Sequence, residues 1–194
     1  MKETIIIIVL LIILITFIII NSNEVTFEKS ANNNTFLVRN LDDKKIAADL
    51  LAEIRLKLKK LIDNIEKSDG TIDDYLFIEP YLRTIKSKFN NIIFRESSPN
   101  SKFTSYSINK GEEIVFCLRS KEDNHFHDIN EILYVAIHEI SHVGCPEIGH
   151  TPLFTKININ LLRYAVKFGI YNYKNYNLFP EEYCGIQLST NILN

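Results

Sequence analysis

His138-Glu139-Ile140-Ser141-His142 is the stretch of this chain that decides the fold. It lies inside an apolar segment, which is typical of a buried central helix. On a helix, His138 and His142 are one turn apart on the same face, so both imidazoles can converge on one metal ion. Glu139 is rotated from them by one residue and can reach a water molecule on that ion, where a general base is needed. The pattern predicts a zinc (Zn2+) site with His138 and His142 as metal ligands and Glu139 as the catalytic residue.

The flanking residues predict where this helix begins and ends. Asp128 can accept the first backbone N–H groups, and Glu131 can return the contact. Gly144 and Pro146 are expected to end the helix. Two imidazoles and a carboxylate would be costly to bury in so apolar a helix without a partner, and a bound metal ion would remove that cost.

A catalytic zinc ion needs a third protein ligand, and His150 is the candidate. It follows His142 by eight residues. Thr151 suits the N-cap of a following helix, predicted over Pro152–Phe168, so that His150 would have a fixed position at the helix entrance. The alternative third ligands are Cys145, Glu147, His125, His127, Glu181 and Glu182.

Hydrophobic periodicity predicts two further helices. The first covers Asp42–Lys67, with an apolar stripe at steps of three and four, and ends at Ser68-Asp69-Gly70. We expect it to pack on the domain rather than form a coiled-coil stalk, because its heptad register is not sustained. The second covers Pro80–Phe89. The apolar stripe of the first helix consists of Ile46, Leu50, Ile54, Leu58, Leu61 and Ile65.

Three strands are predicted between these helices and the central one: Ile92–Arg95, Phe103–Ile108 and Glu113–Arg119. The segment Ser107–Gly111 is expected to form the hairpin turn between the last two. We expect the last strand to bind substrate by backbone pairing if one of its edges is free.

The N-terminal run Ile5–Ile20 is almost entirely aliphatic and predicts a single-pass transmembrane helix over residues 1–22. A cleaved signal peptide is disfavoured, because the start is not basic and no small-residue cleavage site follows. Residues 23–70 are interpreted as a linker, Asn-rich up to Asn40, and the amphipathic helix. Residues 71–194 are interpreted as the domain that holds the predicted metal site.

The composition limits the partners and the cysteine chemistry. The chain has 22 basic and 24 acidic side chains, so no nucleic-acid partner is expected. Cys117, Cys145 and Cys184 form no CxxC motif. One disulfide with a free thiol and three free thiols both remain open, and Cys145 with Cys184 is a candidate pair.

The spacing His138-Glu139-x-x-His142, followed by Gly149-His150-x-Pro-x-Phe154, resembles the WLM/SprT-like branch of zincin metallopeptidases. Longer phrases, such as Tyr134-Val-Ala-Ile-His-Glu, are similar to membrane-anchored metallopeptidases of large DNA viruses. The resemblance implies an α+β, zincin-like domain with a small antiparallel-edged sheet and a buried HExxH helix. Many members of this branch place the third histidine six residues after the second, whereas here the step is eight.

These observations predict a membrane-anchored zinc metallopeptidase that hydrolyses a peptide or protein substrate with zinc-activated water and Glu139 as general base. Its lipid contact would be Ile5–Ile20, in a host or virion membrane. The alternatives are a catalytically silent zinc-binding structural membrane protein of a virion, and a binding module whose histidines serve only stability. Candidate oxyanion stabilisers are Tyr173, Tyr176 and Tyr183.

Overall fold

The computed structural model describes residues 2–22, 24–68 and 74–193. The helices in these ranges are α1 Lys2–Ser22, α2 Lys44–Lys67, α3 Tyr75–Phe89, α4 Ile129–Gly144 and α5 Pro152–Lys167. The strands are β1 Val25–Lys29, β2 Thr35–Arg39, β3 Ile93–Glu96, β4 Tyr106–Ile108, β5 Glu113–Phe116, β6 Glu181–Tyr183 and β7 Ile186–Leu188. This mixture confirms the predicted α+β class.

The described strands form a five-stranded sheet with the order β1-β2-β3-β5-β4 and a separate β6-β7 hairpin. Strands β2, β3 and β5 are parallel, whereas β1 and β4 pair antiparallel at the two edges. The antiparallel edges agree with the prediction. The expectation that the strand Glu113–Arg119 could offer a free edge is wrong, because β5 pairs with β3 on one side and with β4 on the other.

The interpretation of Asn21–Asn40 as a linker is also wrong for most of its length. Its described part continues α1 as far as Ser22 and then forms the β1-β2 hairpin. The turn contains Asn33 in the left-handed region (φ 65°), a conformation that asparagine tolerates. Phe36 and Val38 of β2 are buried in the core. The polar turn residues therefore mark a hairpin rather than an unstructured connection.

Helix α2 packs on the domain, as predicted, and buries Ile54, Leu58 and Ile65. Ile46, which was expected to face inward, is 56% exposed. Helix α3 begins at Tyr75, five residues before the predicted start at Pro80. The predicted helix end at Asp69-Gly70 lies outside the described residues.

Helix α4 is the central helix of the domain. Asp128 caps it by accepting the Asn130 N–H at 2.8 Å, which confirms the predicted start. Gly144 is the last helical residue, and a Cβ there would approach the Tyr81 carbonyl to 3.2 Å. This glycine therefore permits close packing of α4 on α3. Gly111, in the turn between β4 and β5, lies in the left-handed region (φ 102°) against Val143 of α4.

A buried ionic network joins the sheet to α2. The Glu96 carboxylate accepts from Arg119 Nε at 2.8 Å and from the Arg39 backbone N–H at 2.7 Å. The Arg119 guanidinium also donates two hydrogen bonds to Asp43, at 2.6 and 2.7 Å. These bonds fix the start of the loop that connects β5 to α4.

Among the described residues, no helix combines the length and the apolar character needed to cross a membrane. The predicted transmembrane anchor over residues 1–22 therefore has no support from the structure.

Candidate metal centre and cleft

The structure brings His138, His142 and His150 together. The first two project from one face of α4, one turn apart, and the third comes from the loop before α5. The His138 Nε2 atom lies 3.3 Å from His142 Nε2 and 2.9 Å from His150 Nε2. All three ligand atoms lie within 4.8 Å of one another.

This spacing fits one zinc ion. Two nitrogens that each lie 2.0–2.1 Å from a tetrahedral zinc are about 3.3 Å apart. The separations of 3.3 and 2.9 Å among His138, His142 and His150 are close to that value. The donor set, three imidazoles, is also one that catalytic zinc sites use. The assignment of these residues as metal ligands stays a prediction.

Burial is the main cause that lowers the pKa of His138 and of His142 to about 4; the neighbouring imidazoles, and Lys110 beside His142, contribute the rest. Near neutral pH these two rings are therefore uncharged, with one nitrogen lone pair each. A metal ion requires that form of the ligand.

Phe154 of α5 packs against all three imidazoles. Its ring stacks on His142, with centroids 4.0 Å apart and an interplanar angle of 20°. It meets His138 and His150 edge-on, at 4.9 and 5.0 Å. Thr151 caps α5 by accepting the Phe154 N–H at 3.3 Å, as the sequence predicted for this helix start. The capped helix therefore fixes both His150 and the ring that supports the cluster.

Glu139 is buried beside this cluster, with 5% of its surface exposed. Burial raises the pKa of its carboxyl group to about 7, although hydrogen bonds from the Ser107 hydroxyl and backbone oppose the rise. A carboxylate with a pKa near neutrality can both accept and return a proton, which is the property of a general base.

The imidazoles and Glu139 face an open cleft with a volume of about 700 Å³. Its walls are the edge strand β4, helix α4, the loop 147–150 and the β6-β7 hairpin. No described strand pairs with the outer edge of β4. The cleft therefore combines a backbone edge with ionisable side chains.

The alternative third ligands lie outside the cluster formed by the described histidines. Cys145 is buried at the end of α4 as a free thiol. His125 pairs with Asp123 at the surface, and His127 contacts Cys184.

The three glutamates considered as third metal ligands also lie outside the histidine cluster. Glu147 lines the cleft. Glu181 pairs with Lys174 at 2.6 Å, and Glu182 accepts the Gly185 N–H.

Of the three tyrosines considered as oxyanion stabilisers, Tyr183 lines the cleft. Its hydroxyl donates to the Cys117 carbonyl at 3.0 Å and lies 2.8 Å from Ser105 Oγ. Tyr176 is buried against Tyr134, and Tyr173 is 45% exposed outside the cleft lining. The hydroxyl of Tyr183 is thus already engaged, and the oxyanion role stays a prediction.

The cysteine pairing differs from the candidate pair. Cys184 forms a disulfide with Cys117, not with Cys145. Two further residues at the site were not singled out from the sequence for a role there: Ser107, which binds Glu139, and Phe154, which supports the imidazoles. Ser107 lies in the predicted strand Phe103–Ile108, and the alternation of side chains along that strand was the signal in the sequence that could have identified it.

The chain belongs to the family of the uncharacterized protein R325 of Acanthamoeba polyphaga mimivirus, to which it is 36% identical over 171 residues, 88% of this chain and 85% of that protein. The uncharacterized protein 042R of Invertebrate iridescent virus 3 is 36% identical over 98 residues, 50% of this chain and 57% of that protein. The uncharacterized protein 136R of Invertebrate iridescent virus 6 is 38% identical over 82 residues, 41% of this chain and 44% of that protein. These relatives are viral, in agreement with the sequence resemblance.

No family model matches the sequence. Among solved structures, Wss1 from Saccharomyces cerevisiae gives a TM-score of 0.47 at 18% identity, and the match covers 68% of this chain and 88% of that chain.

Proposed function

We propose that this chain is a zinc-dependent metallopeptidase that hydrolyses peptide bonds in the cleft between β4 and α4. The observation that carries the proposal is the convergence of three imidazole nitrogens beside one buried glutamate, Glu139. A structural zinc site would not need that carboxyl group, because its four positions are filled by ligands.

A zinc ion held by the three imidazoles would supply a Lewis acid that polarises the scissile carbonyl group and lowers the pKa of the attacking water. Glu139 is placed to accept the proton of that water and to pass it to the leaving amine. The hydroxyl and backbone of Ser107 hold the carboxylate in position. Burial raises the pKa of Glu139 to about 7, so that near neutral pH this group can both accept a proton from water and release it to the leaving amine.

The substrate we propose is an extended segment of peptide or protein. An extended chain can add to the outer edge of β4, which no described strand occupies, through backbone hydrogen bonds. Tyr106 and Ser107 of β4 line the same cleft as Glu139 of α4. Such pairing would bring the scissile bond next to Glu139 without demanding a particular side chain.

The test compares cleavage of fluorescein-labelled casein by the zinc-loaded full chain and by Glu139→Gln. The amide keeps the shape of the side chain but cannot accept the proton, so cleavage should fall at least about 100-fold. Zinc content, measured by mass spectrometry, should be unchanged. Glu53→Gln, on the exposed face of α2, is the matched control and should cleave normally.

Two results would contradict the metallopeptidase proposal. One is a Glu139→Gln protein that cleaves at the wild-type rate. The other is a zinc-loaded wild-type chain that cleaves neither casein nor a random peptide library, which would favour the catalytically silent structural protein.

We also propose that α1 associates with lipid. Its apolar side chains from Ile5 to Ile18 are about half exposed or more, with values from 48% to 62%. An exposed apolar surface of this extent marks an interaction site. The full chain should float with phosphatidylcholine vesicles in a density gradient, and a variant lacking residues 2–22 should not. Equal flotation of both proteins would refute the lipid contact.

A further inference from the structure

A second cluster of metal-binding side chains lies behind the wall of the cleft. Cys117 directly follows β5, His127 lies in the loop before α4, and Cys184 occupies the turn of the β6-β7 hairpin. All three side chains are buried, and their ligand atoms lie within 4.8 Å of one another. The two cysteines form a disulfide, with a Cα–Cα distance of 6.3 Å.

The imidazole of His127 is oriented as metal-binding imidazoles are. Its Nε2 atom lies 3.6 Å from Cys184 Sγ and accepts the Cys184 N–H at 3.2 Å. The ring is also hydrogen-bonded to the backbone of Arg119. A histidine ligand usually makes such a second bond to a carbonyl group, which leaves the opposite nitrogen free to coordinate. Coordination would replace the hydrogen bond from Cys184.

The surrounding structure holds these residues rigidly. The His127 N–H donates to the Leu118 carbonyl at 3.0 Å, and Arg119 is fixed by the buried ionic network with Glu96. The ring of His127 packs on Tyr183, with centroids 4.8 Å apart. Because the backbone around these residues is already fixed, metal binding after reduction would carry only a small ordering cost.

We propose that Cys117, His127 and Cys184 form a second zinc site when the two cysteines are reduced. Two thiolates and one neutral imidazole are soft and borderline ligands suited to zinc, and a Cys₂His set is known to hold it. The two thiols release their protons to solvent on binding, so two negative charges meet one Zn2+ and the buried site is neutral. The neutrality matters because an uncompensated buried charge is costly.

The disulfide is the other state of the same pair. On oxidation the two thiols lose two protons and two electrons, and the S–S bond forms. Glutathione disulfide is the oxidant in the test, and it gains those two electrons and two protons to become two molecules of glutathione. A disulfide sulfur carries no charge and is a poor zinc ligand, so the two states exclude each other.

Either state ties the β6-β7 hairpin to the sheet. Tyr183, Ile186 and Leu188 of this hairpin line the cleft of the first site. The Tyr183 hydroxyl donates to the carbonyl of Cys117 itself. A chain that is reduced and free of metal at this second site would lose the cross-link that supports this wall.

The test measures zinc in a His138→Ala/His142→Ala chain, so that its outcome does not depend on the first site. After reduction with a phosphine and dialysis against zinc, this chain should hold one zinc ion. After oxidation with glutathione disulfide, with disulfide formation verified by mass, it should hold none. Reduced wild-type chain should hold one zinc ion more than oxidised wild-type chain.

Cobalt substitution identifies the ligands. The reduced His138→Ala/His142→Ala chain should show the thiolate-to-cobalt charge-transfer band. The same chain with Cys117→Ser/Cys184→Ser should not. Cys145→Ser, which removes the remaining free thiol, should retain the band. Equal zinc contents of the reduced and oxidised chains would overturn the proposal, and that comparison needs no cysteine variant to fold. Cobalt binding without a sulfur band would overturn it as well.

Discussion

The proposed chemistry depends on the carboxyl group of Glu139. The burial of this group also makes the stability of the chain depend on pH. Its pKa is raised from 4.5 to about 7 by loss of solvent. The folded chain therefore keeps this proton over a range in which the unfolded chain releases it. Stability that is present below pH 4.5 is lost as the pH rises towards 7.

This shift predicts that Glu139→Gln gains stability relative to the wild-type chain as the pH rises. Between pH 4.5 and pH 8 the difference in free energy of unfolding should grow by about 3 kcal/mol in the zinc-free protein. Urea unfolding of the two zinc-free chains at both pH values measures it. A difference that stays constant with pH would show that Glu139 is not buried as described.

Residue-scale features of the site differ in how far the sequence predicts them. The positions of His138, Glu139 and His142 follow from helix geometry, because residues four apart share a face whatever the tertiary structure. The Cys117–Cys184 pair, by contrast, is separated by 67 residues and depends on how the C-terminal hairpin docks. Sequence spacing carries no information of that kind.

At the scale of elements, the start of α5 determines the position of the third imidazole. Thr151 both caps this helix and follows His150 in the chain. Local cap signals were therefore enough to predict the helix. The β1-β2 hairpin was missed because its strands have five residues each and flank an Asn-rich turn, so that polar composition outweighed the alternation of Phe36 and Val38.

The cap predicts a coupled effect on stability and metal affinity. Thr151→Ala removes the acceptor of the Phe154 N–H, and should cost about 1 kcal/mol of folding free energy. Zinc affinity should fall too, because His150 loses its fixed position. Thr151→Ser keeps the hydroxyl and should restore both properties, measured by urea unfolding and zinc titration. If Thr151→Ala bound zinc as tightly as wild type, the cap would have no role in placing His150.

The buried network between elements predicts a larger loss. Glu96→Ala would leave the Arg119 guanidinium without its buried partner, and should destabilise the chain by about 3–5 kcal/mol. Glu113→Ala breaks the partly exposed pair with Arg95 and should cost less than about 1 kcal/mol. Urea unfolding of both variants provides the comparison. Similar losses in the two proteins would contradict the role given to the Glu96 network.

At the scale of the whole molecule, the five-stranded sheet, α4 and α5 bring one cluster of imidazoles to an open cleft beside the outer edge of β4, with which no strand in the described part of the chain pairs. The α+β class and the central helix were predictable, because hydrophobic periodicity reports local structure. The strand order was not, since β5 lies between β3 and β4 through contacts that periodicity does not encode. The condition set for substrate pairing on Glu113–Arg119, a free edge, is therefore not met, because β5 has a neighbour on each side.

Zinc-edge X-ray absorption of the full chain tests the central claim most directly. The Cys117→Ser/Cys184→Ser background removes the second cluster, so that one zinc ion reports on the histidines alone. The predicted first shell consists of three imidazole nitrogens and one oxygen, and His150→Ala should reduce the imidazole count to two. A chain that binds no zinc, or a first shell with fewer than three imidazoles in the presence of intact His138, His142 and His150, would contradict the account.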